Sequence, residues 1–80
     1  MVIIDTQVNG YSHMTSDSIE ELHQFAFSIG LKRCWYQNKR GKNQPHYDVN
    51  KTFFDIAIEK GAILVQRKEL FLFLEKNYKK

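Results

Sequence analysis

Four short stretches of the chain have the residue types of extended structure. Residues 2–5 (Val-Ile-Ile-Asp) are rich in β-branched side chains and predict a buried strand. Residues 31–37 predict a second strand and residues 62–65 a third, again buried. Residues 46–49 follow the only proline, which favours a short extended piece. Residues 6–17 are mostly polar and contain an Asn-Gly turn signal, so they predict a loop.

Three other stretches have apolar residues at the spacing of an amphipathic helix. The first begins after an N-cap at Ser18 or the residue before it, and it ends at Gly30. The second follows Asn50, which is a favoured N-cap residue, and the third starts at Arg67. Because residues 70–74 are all apolar, this part of the third helix also fits an edge strand.

The order of these elements is strand, helix, strand, short strand, helix, strand, helix. Alternation of strands and helices favours a parallel sheet with right-handed crossovers. We therefore expect an α/β fold in which a small, mostly parallel sheet of three to four strands is flanked by three helices. Eighty residues leave no room for a second core, so residues 1–80 are expected to form a single domain.

Positive charge is concentrated in one part of the chain. The net charge is +3, and there is no acidic residue between Glu21 and Asp48. The cations of this segment are Lys32, Arg33, Lys39, Arg40 and Lys42. A local excess of this kind favours an anionic partner such as nucleic acid, although a solubilising loop has the same composition.

Cysteine content and hydropathy restrict the setting of the protein. The single cysteine, Cys34, excludes an internal disulfide and a zinc site built from several cysteines. With no signal-peptide pattern, this composition predicts a cytoplasmic protein. No apolar run reaches the roughly 20 residues that span a bilayer, so we expect no membrane partner.

Polar residues follow the predicted strands and precede the predicted helices. They are Asp5, Gln37 and Arg67 after the strands, and His13, His46, Asp48 and Lys51 before the helices. In an open parallel sheet the carboxyl ends of the strands meet the amino ends of the helices at one edge. We therefore expect these side chains to converge on one rim, where free N–H groups at the helix starts add affinity for anions.

His46 and Asp48 are the most specific pair in this set. Alternate residues of an extended segment project to the same face, so the imidazole and the carboxylate lie side by side. Such a pair can act as a general base, help to hold a metal ion, or make a structural hydrogen bond. With Asp5 and His13 it could form a site for a divalent metal with two histidines and a carboxylate.

The arrangement of these residues resembles a known family. The similar stretches are Ser-His at 12–13, Glu-Leu-His at 21–23, His-Tyr-Asp-Val at 46–49 and Gly-Ala at 61–62. They resemble the small bacterial and phage family called domain of unknown function 4031, over roughly residues 2–70. The resemblance implies no activity, but it implies a shared polar site. Its members would be Asp5, His13, His23, Gln37, His46 and Asp48.

The leading hypothesis is a small bacterial or phage-encoded domain that binds a phosphate-bearing ligand, either a nucleotide or a nucleic acid. Cations and histidines would contact phosphate, and an exposed tryptophan could stack on a base. The expected ligand-binding residues are His13, Trp35, Gln37, Lys39, Arg40, Lys42, His46, Asp48, Lys51 and Arg67.

Two alternatives remain open. The first is metal-assisted phosphodiester hydrolysis, with Asp5, His13, His46 and Asp48 as candidate metal ligands and catalytic groups. The second is a protein-interaction module, such as a phage-borne inhibitor of a host enzyme, that acts through the basic loop. Charge alone does not separate these hypotheses.

Overall fold

A five-stranded sheet organises the part of the chain that the structure, a computed structural model, describes: residues 1–38 and 44–78. The strands are β1 (Val2–Asp5), β2 (Tyr11–Ser16), β3 (Tyr36–Gln37), β4 (His46–Asn50) and β5 (Ile63–Val65), in the order β3-β4-β2-β1-β5. The helices are α1 (Ile19–Ser28), α2 (Lys51–Glu59) and α3 (Arg67–Tyr78). The expected α/β class with three helices is confirmed.

The expected mostly parallel sheet of three to four strands is wrong. The sheet is mixed, because only β1 and β5 pair in parallel, while β1–β2, β2–β4 and β3–β4 pair antiparallel. The difference arises in residues 6–17, where the predicted loop contains β2. Asn9 and Gly10 have positive φ angles of 55° and 81°, the geometry of a tight hairpin turn. Val8 and Tyr11 exchange backbone hydrogen bonds across that turn, so the chain returns as a strand.

Two other predicted strands differ from the structure. In residues 31–37 a single turn of 3₁₀ helix (Arg33–Trp35) precedes the two-residue β3. Residues 32–35 are four consecutive exposed residues, so this segment has no buried face to hold it in a longer strand. Residues 62–65 contain β5, but it lies at the edge of the sheet and is not buried. Ile63 and Leu64 are each about half exposed there. The apolar run 70–74 belongs to α3, so its reading as an edge strand is also wrong.

The two faces of the sheet are covered to different extents. Ile4, Met14 and Tyr47 project to the face where α1 and α2 contribute to the larger core. Ile3 projects to the opposite face and packs against α3. Helix α3 packs against β1 and β2, whereas β4 side chains on this face retain access to solvent. The second face is therefore a covered core at one end and an accessible surface at the other.

The helix starts agree with the sequence. Ser18 Oγ accepts a hydrogen bond from Glu21 N, and Asn50 Oδ1 accepts one from Phe53 N, so both N-caps are formed. Within residues 1–38 and 44–78, no helix is long and apolar enough to cross a membrane.

Candidate metal centre

Two histidines and an aspartate meet on the accessible part of the second sheet face. The register of β2 against β4 pairs His13 with Asp48, and His46 lies two residues earlier on the same side of β4. The two imidazole rings are 5.3 Å apart between centroids. Asp48 Oδ1 lies 3.4 Å from His46 Nε2 and 4.0 Å from His13 Nε2. One potential ligand atom from each residue lies within 4.8 Å of the others.

The orientation of His13 is set by a buried carboxylate. Asp5, at the end of β1, is fully buried, and its Oδ2 lies 2.9 Å from His13 Nδ1. Its Oδ1 accepts a hydrogen bond of 2.7 Å from His13 N. Because a carboxylate accepts hydrogen bonds, this contact favours the tautomer with the proton on Nδ1. The lone pair of His13 Nε2 then faces the cluster.

His46 and Asp48 are oriented in the same way by polar neighbours. His46 Nδ1 lies 2.6 Å from the carbonyl oxygen of Gln44, which can only accept a hydrogen bond. This leaves the lone pair of His46 Nε2 directed at the cluster in the neutral ring. Gln37 Nε2 donates a hydrogen bond of 2.6 Å to Asp48 Oδ2, so Oδ1 is the oxygen that faces the histidines. Three potential electron-pair donors therefore converge, and a cation placed between them would interact favourably with all three.

The dimensions of this cluster fit a divalent metal ion. Bonds of about 2.0–2.2 Å at angles between 90° and tetrahedral require ligand atoms about 3.0–3.5 Å apart. The separation of 3.4 Å between His46 Nε2 and Asp48 Oδ1 is already in that range. His13 has to move closer, because its Nε2 lies 4.0 Å from Asp48 Oδ1 and the three residues offer ligand atoms that are within 4.8 Å of one another. Imidazole with carboxylate suits zinc, iron, manganese and related ions. In metal sites the ring nitrogen of a ligating histidine that does not bind the metal is usually hydrogen-bonded to a carboxylate or a carbonyl. Asp5 and the Gln44 carbonyl are such partners for His13 Nδ1 and His46 Nδ1.

A cavity of about 440 Å³ adjoins the cluster. It is lined by Tyr11, Cys34, Trp35, Gln37, Asp48, Asn50 and Phe53. Asp48 belongs to both the cavity wall and the histidine cluster, and Gln37 in the wall donates a hydrogen bond to it, so a molecule in the cavity would reach the cluster directly. Trp35 and Phe53 contact each other edge to face, with ring centroids 5.7 Å apart.

A protein-family model matches almost the whole chain. A family model described as a protein of unknown function (DUF4031) matches residues 3–77. The chain belongs to the DUF4031 family. The resemblance inferred from the sequence is thus confirmed. Neither a curated protein nor a solved structure matches this DUF4031 chain.

Most of the polar residues singled out in the DUF4031 sequence lie together, but not where the sequence placed them. Asp5, His13, Gln37, His46, Asp48 and Arg67 form one connected row across the sheet face. They do not form a rim at a common carboxyl edge, because β2 runs antiparallel to both β1 and β4. Arg67 closes the row, with Nε 3.5 Å from Asp5 Oδ2.

Other expected ligand-binding residues have different positions. Trp35 lines the cavity. Lys51 begins α2, and its Nζ lies 3.4 Å from Asp55 Oδ2, so its nearest anionic partner is within its own helix. Lys39, Arg40 and Lys42 lie outside the described residues.

His23 is separated from the cluster. It belongs to α1, and its Nδ1 lies 2.7 Å from the hydroxyl of Tyr47, whose side chain is in the larger core. Burial lowers the pKa of His23, and the positive charge of Arg33 adds to this effect. The shared site implied by the family resemblance therefore does not include His23 in this structure.

Several residues of the site were not anticipated from the sequence. The Gln44 carbonyl orients His46, and Phe71 of α3 lies against the His13 ring at 5.6 Å between centroids. Tyr11 and Asn50, which line the cavity, are paired across β2 and β4. The Asn-Gly turn signal could have predicted the position of Tyr11, because a hairpin turn at these two residues makes Tyr11 the first residue of β2.

Proposed function

We propose that this DUF4031 protein binds a divalent metal ion through His13, His46 and Asp48, and through that ion a phosphate-bearing ligand, either a nucleotide or a nucleic acid. The observation that carries the proposal is the convergence of three lone pairs whose remaining polar atoms are already engaged. Hydrogen bonds at both Nδ1 atoms and at Asp48 Oδ2 leave the three inner atoms as acceptors. A cation satisfies all three at once.

Phosphate is the ligand that best suits such an ion. Three protein ligands leave coordination positions open on zinc or on a six-coordinate metal. Asp48 is about one-third exposed, so an anion can approach the cluster from solvent. The fully buried Asp5 is paired with Arg67, whose side chain is about 38% exposed. That partly exposed guanidinium is a second contact for a phosphate oxygen.

Metal-assisted phosphodiester hydrolysis is the second candidate, because the same open positions accept water and a phosphate oxygen together. A metal ion held by His13, His46 and Asp48 would lower the pKa of a bound water and polarise a phosphate oxygen, which is the chemistry that hydrolysis of a phosphodiester requires. A binding domain and a hydrolase would use the same metal site, so both hypotheses are tested with the same metal-loaded protein.

The first experiment measures metal affinity. Chelator-treated protein is titrated with Zn²⁺ and with Mn²⁺ by isothermal calorimetry. We expect one site per chain in the wild type and a loss of at least about tenfold in affinity in His13→Gln and in His46→Gln. His23→Gln is the matched control, because it removes a histidine outside the cluster. Equal affinities in His46→Gln and the wild type would overturn the proposal.

The second experiment adds the phosphate ligand. Metal-loaded and chelator-treated proteins are titrated with adenosine 5′-monophosphate, and a short single-stranded DNA is incubated with both and analysed for cleavage. Metal-dependent nucleotide binding without cleavage supports a binding domain, and metal-dependent cleavage supports the hydrolase. Nucleotide binding that is the same with and without metal contradicts both.

A further inference from the structure

We infer that the cavity beside the metal centre receives one unpaired nucleobase, so that the ligand is a single nucleotide unit and not base-paired duplex. The cavity is the space lined by Tyr11, Trp35, Gln37, Asn50 and Phe53, together with Asp48 and Cys34. This inference rests on the proposed function, because it takes the phosphate to be held at the metal. It adds the class of group bound next to that phosphate.

The aromatic lining is the first observation. Trp35 is 37% exposed and Tyr11 is 57% exposed, although both are large aromatic residues. Phe53 meets the Trp35 ring edge to face at an interplanar angle of 65°, which holds the indole in position. The Nζ of Lys32 lies 5.8 Å from the same ring, which adds a cation–π contact. A fixed, partly exposed indole is a stacking surface for a base of any sequence.

The amide groups in the wall are the second observation. Asn50 Oδ1 accepts a hydrogen bond from Phe53 N, which leaves the Nδ2 group of Asn50 as a donor. Gln37 Nε2 donates to Asp48 Oδ2, which leaves Gln37 Oε1 as an acceptor. The cavity therefore offers one donor and one acceptor beside an aromatic surface. Base edges present complementary groups of both kinds.

The spacing along the strands joins the cavity to the metal centre. Asn50 and Asp48 are alternate residues on one side of β4, and Tyr11 and His13 are alternate residues on one side of β2. Alternate residues of a strand are about 7 Å apart. One sugar then spans the distance between a base at the Asn50 end and a phosphate at the Asp48 end.

The size of the cavity and the geometry of base stacking favour an unpaired base over a base within a duplex. A volume of about 440 Å³ accommodates a single small ligand. A base inside a duplex has both faces covered by its neighbours and cannot stack on Trp35 unless it leaves the helix. The ligand is therefore a free mononucleotide or a nucleotide of a single strand, and the two share the same recognition chemistry.

Trp35 is the only tryptophan of the chain and reports directly on the cavity. Metal-loaded wild-type protein is titrated with adenosine 5′-monophosphate, ribose 5-phosphate, a short single-stranded DNA and the same DNA as a duplex. We expect the nucleotide and the single strand to change Trp35 fluorescence, and the duplex to bind at least about tenfold more weakly than the single strand. Tighter binding of adenosine 5′-monophosphate indicates a free nucleotide as the ligand, and tighter binding of the single-stranded DNA indicates a nucleotide within a strand.

Variants test the stacking contact by calorimetry with adenosine 5′-monophosphate. Trp35→Leu is expected to weaken binding roughly 5- to 150-fold, Trp35→Phe to restore most of it, and the control Phe27→Leu, an exposed aromatic residue on α1, to leave it unchanged. Unchanged binding in Trp35→Leu, or equal binding of duplex and single strand, overturns the inference.

The failure of this inference is distinguishable from failure of the proposed function. If the metal binds and ribose 5-phosphate binds as tightly as the nucleotide, the proposed metal centre stands and the base cavity is wrong. If the cluster binds no metal in the first titration, both are wrong.

Discussion

Replacing Asp5 by alanine tests the buried end of the row of polar residues. Asp5 is fully buried, yet it makes two close contacts to His13, through N at 2.7 Å and Nδ1 at 2.9 Å, and an ion pair with Arg67 at 3.5 Å. Substitution by alanine removes all three contacts and leaves the partly buried N–H group of His13 without its acceptor.

The expected loss in the free energy of unfolding is about 3 kcal/mol. Removing one partner of a buried ion pair costs about 3–5 kcal/mol. The lower figure applies here because Arg67 is partly exposed and water can take over part of its solvation. A domain of this length has a total stability of about 4–12 kcal/mol, at roughly 0.05–0.15 kcal/mol per residue. Asp5→Ala therefore removes a large fraction of the stability.

Urea unfolding followed by far-ultraviolet circular dichroism measures this loss, with the slope against urea checked for constancy. The control is Asp55→Ala, which removes an exposed carboxylate paired with Lys51 in α2 and is expected to change stability by less than about 0.5 kcal/mol. If Asp5→Ala is as mild as Asp55→Ala, the buried network does not stabilise the fold and the reasoning is refuted.

Asp5→Asn separates the structural role of this carboxylate from its effect on the metal. The amide keeps an acceptor for His13 N but lacks the charge that favours the Nδ1–H tautomer. Loss of such a second-layer partner lowers metal affinity about 10- to 100-fold. Zn²⁺ is therefore expected to stabilise Asp5→Asn by about 1.4–2.7 kcal/mol less than the wild type at the same concentration, well above the Kd of both proteins. Equal stabilisation of both proteins would contradict this role.

Three further predictions concern other parts of the chain. Burial lowers the pKa of His23 in the folded protein below its ordinary value of 6.5. Between pH 6.5 and that lower pKa, the unfolded chain therefore binds more protons at this residue than the folded protein does. The free energy of unfolding is expected to decrease as the pH falls through this range. Urea unfolding across pH is expected to show this component in the wild type and not in His23→Leu. Ser18→Ala removes the N-cap of α1 and is expected to cost about 1 kcal/mol in thermal unfolding; no change would refute the cap. Neutralising Lys39, Arg40 and Lys42 is expected to lower the salt slope of nucleic-acid binding by up to about 2–3, and an unchanged slope would exclude phosphate contacts there.

The helices were predictable because their sequences combine several independent signals. Ser18 and Asn50 are good N-cap residues, and each is followed by apolar positions at helical spacing. These signals are local, so they do not depend on which strand lies next to which. The sheet was less predictable, since its topology depends on one strand that the apolar pattern does not show.

Strand β2 was missed because its two faces do not differ in polarity as a strand usually does. Ser12 and Ser16 are buried on the same side as Met14, whereas His13 on the other side is only partly buried. Polar residues on both faces gave the segment the composition of a loop. Local sequence rules often fail where residues are placed for a purpose other than packing, and the missed strand carries His13 of the candidate metal centre. Without β2, the sequence could not give the register that sets His13 opposite Asp48.

Alternate residues of strand β4 face opposite sides of the sheet and have different roles. Tyr47 and Val49 are fully buried in the larger core, whereas His46 and Asp48 face the accessible side of the sheet. Because side chains of a strand alternate, the packing that fixes the first pair also fixes the direction of the second pair. The core therefore supplies the rigidity that a metal site needs, and the hydrogen bonds from Gln37 and to Gln44 complete the orientation. A one-residue shift of β4 would expose Tyr47 and bury Asp48, so the same hydrophobic contacts that stabilise the fold keep the candidate ligands on the accessible face.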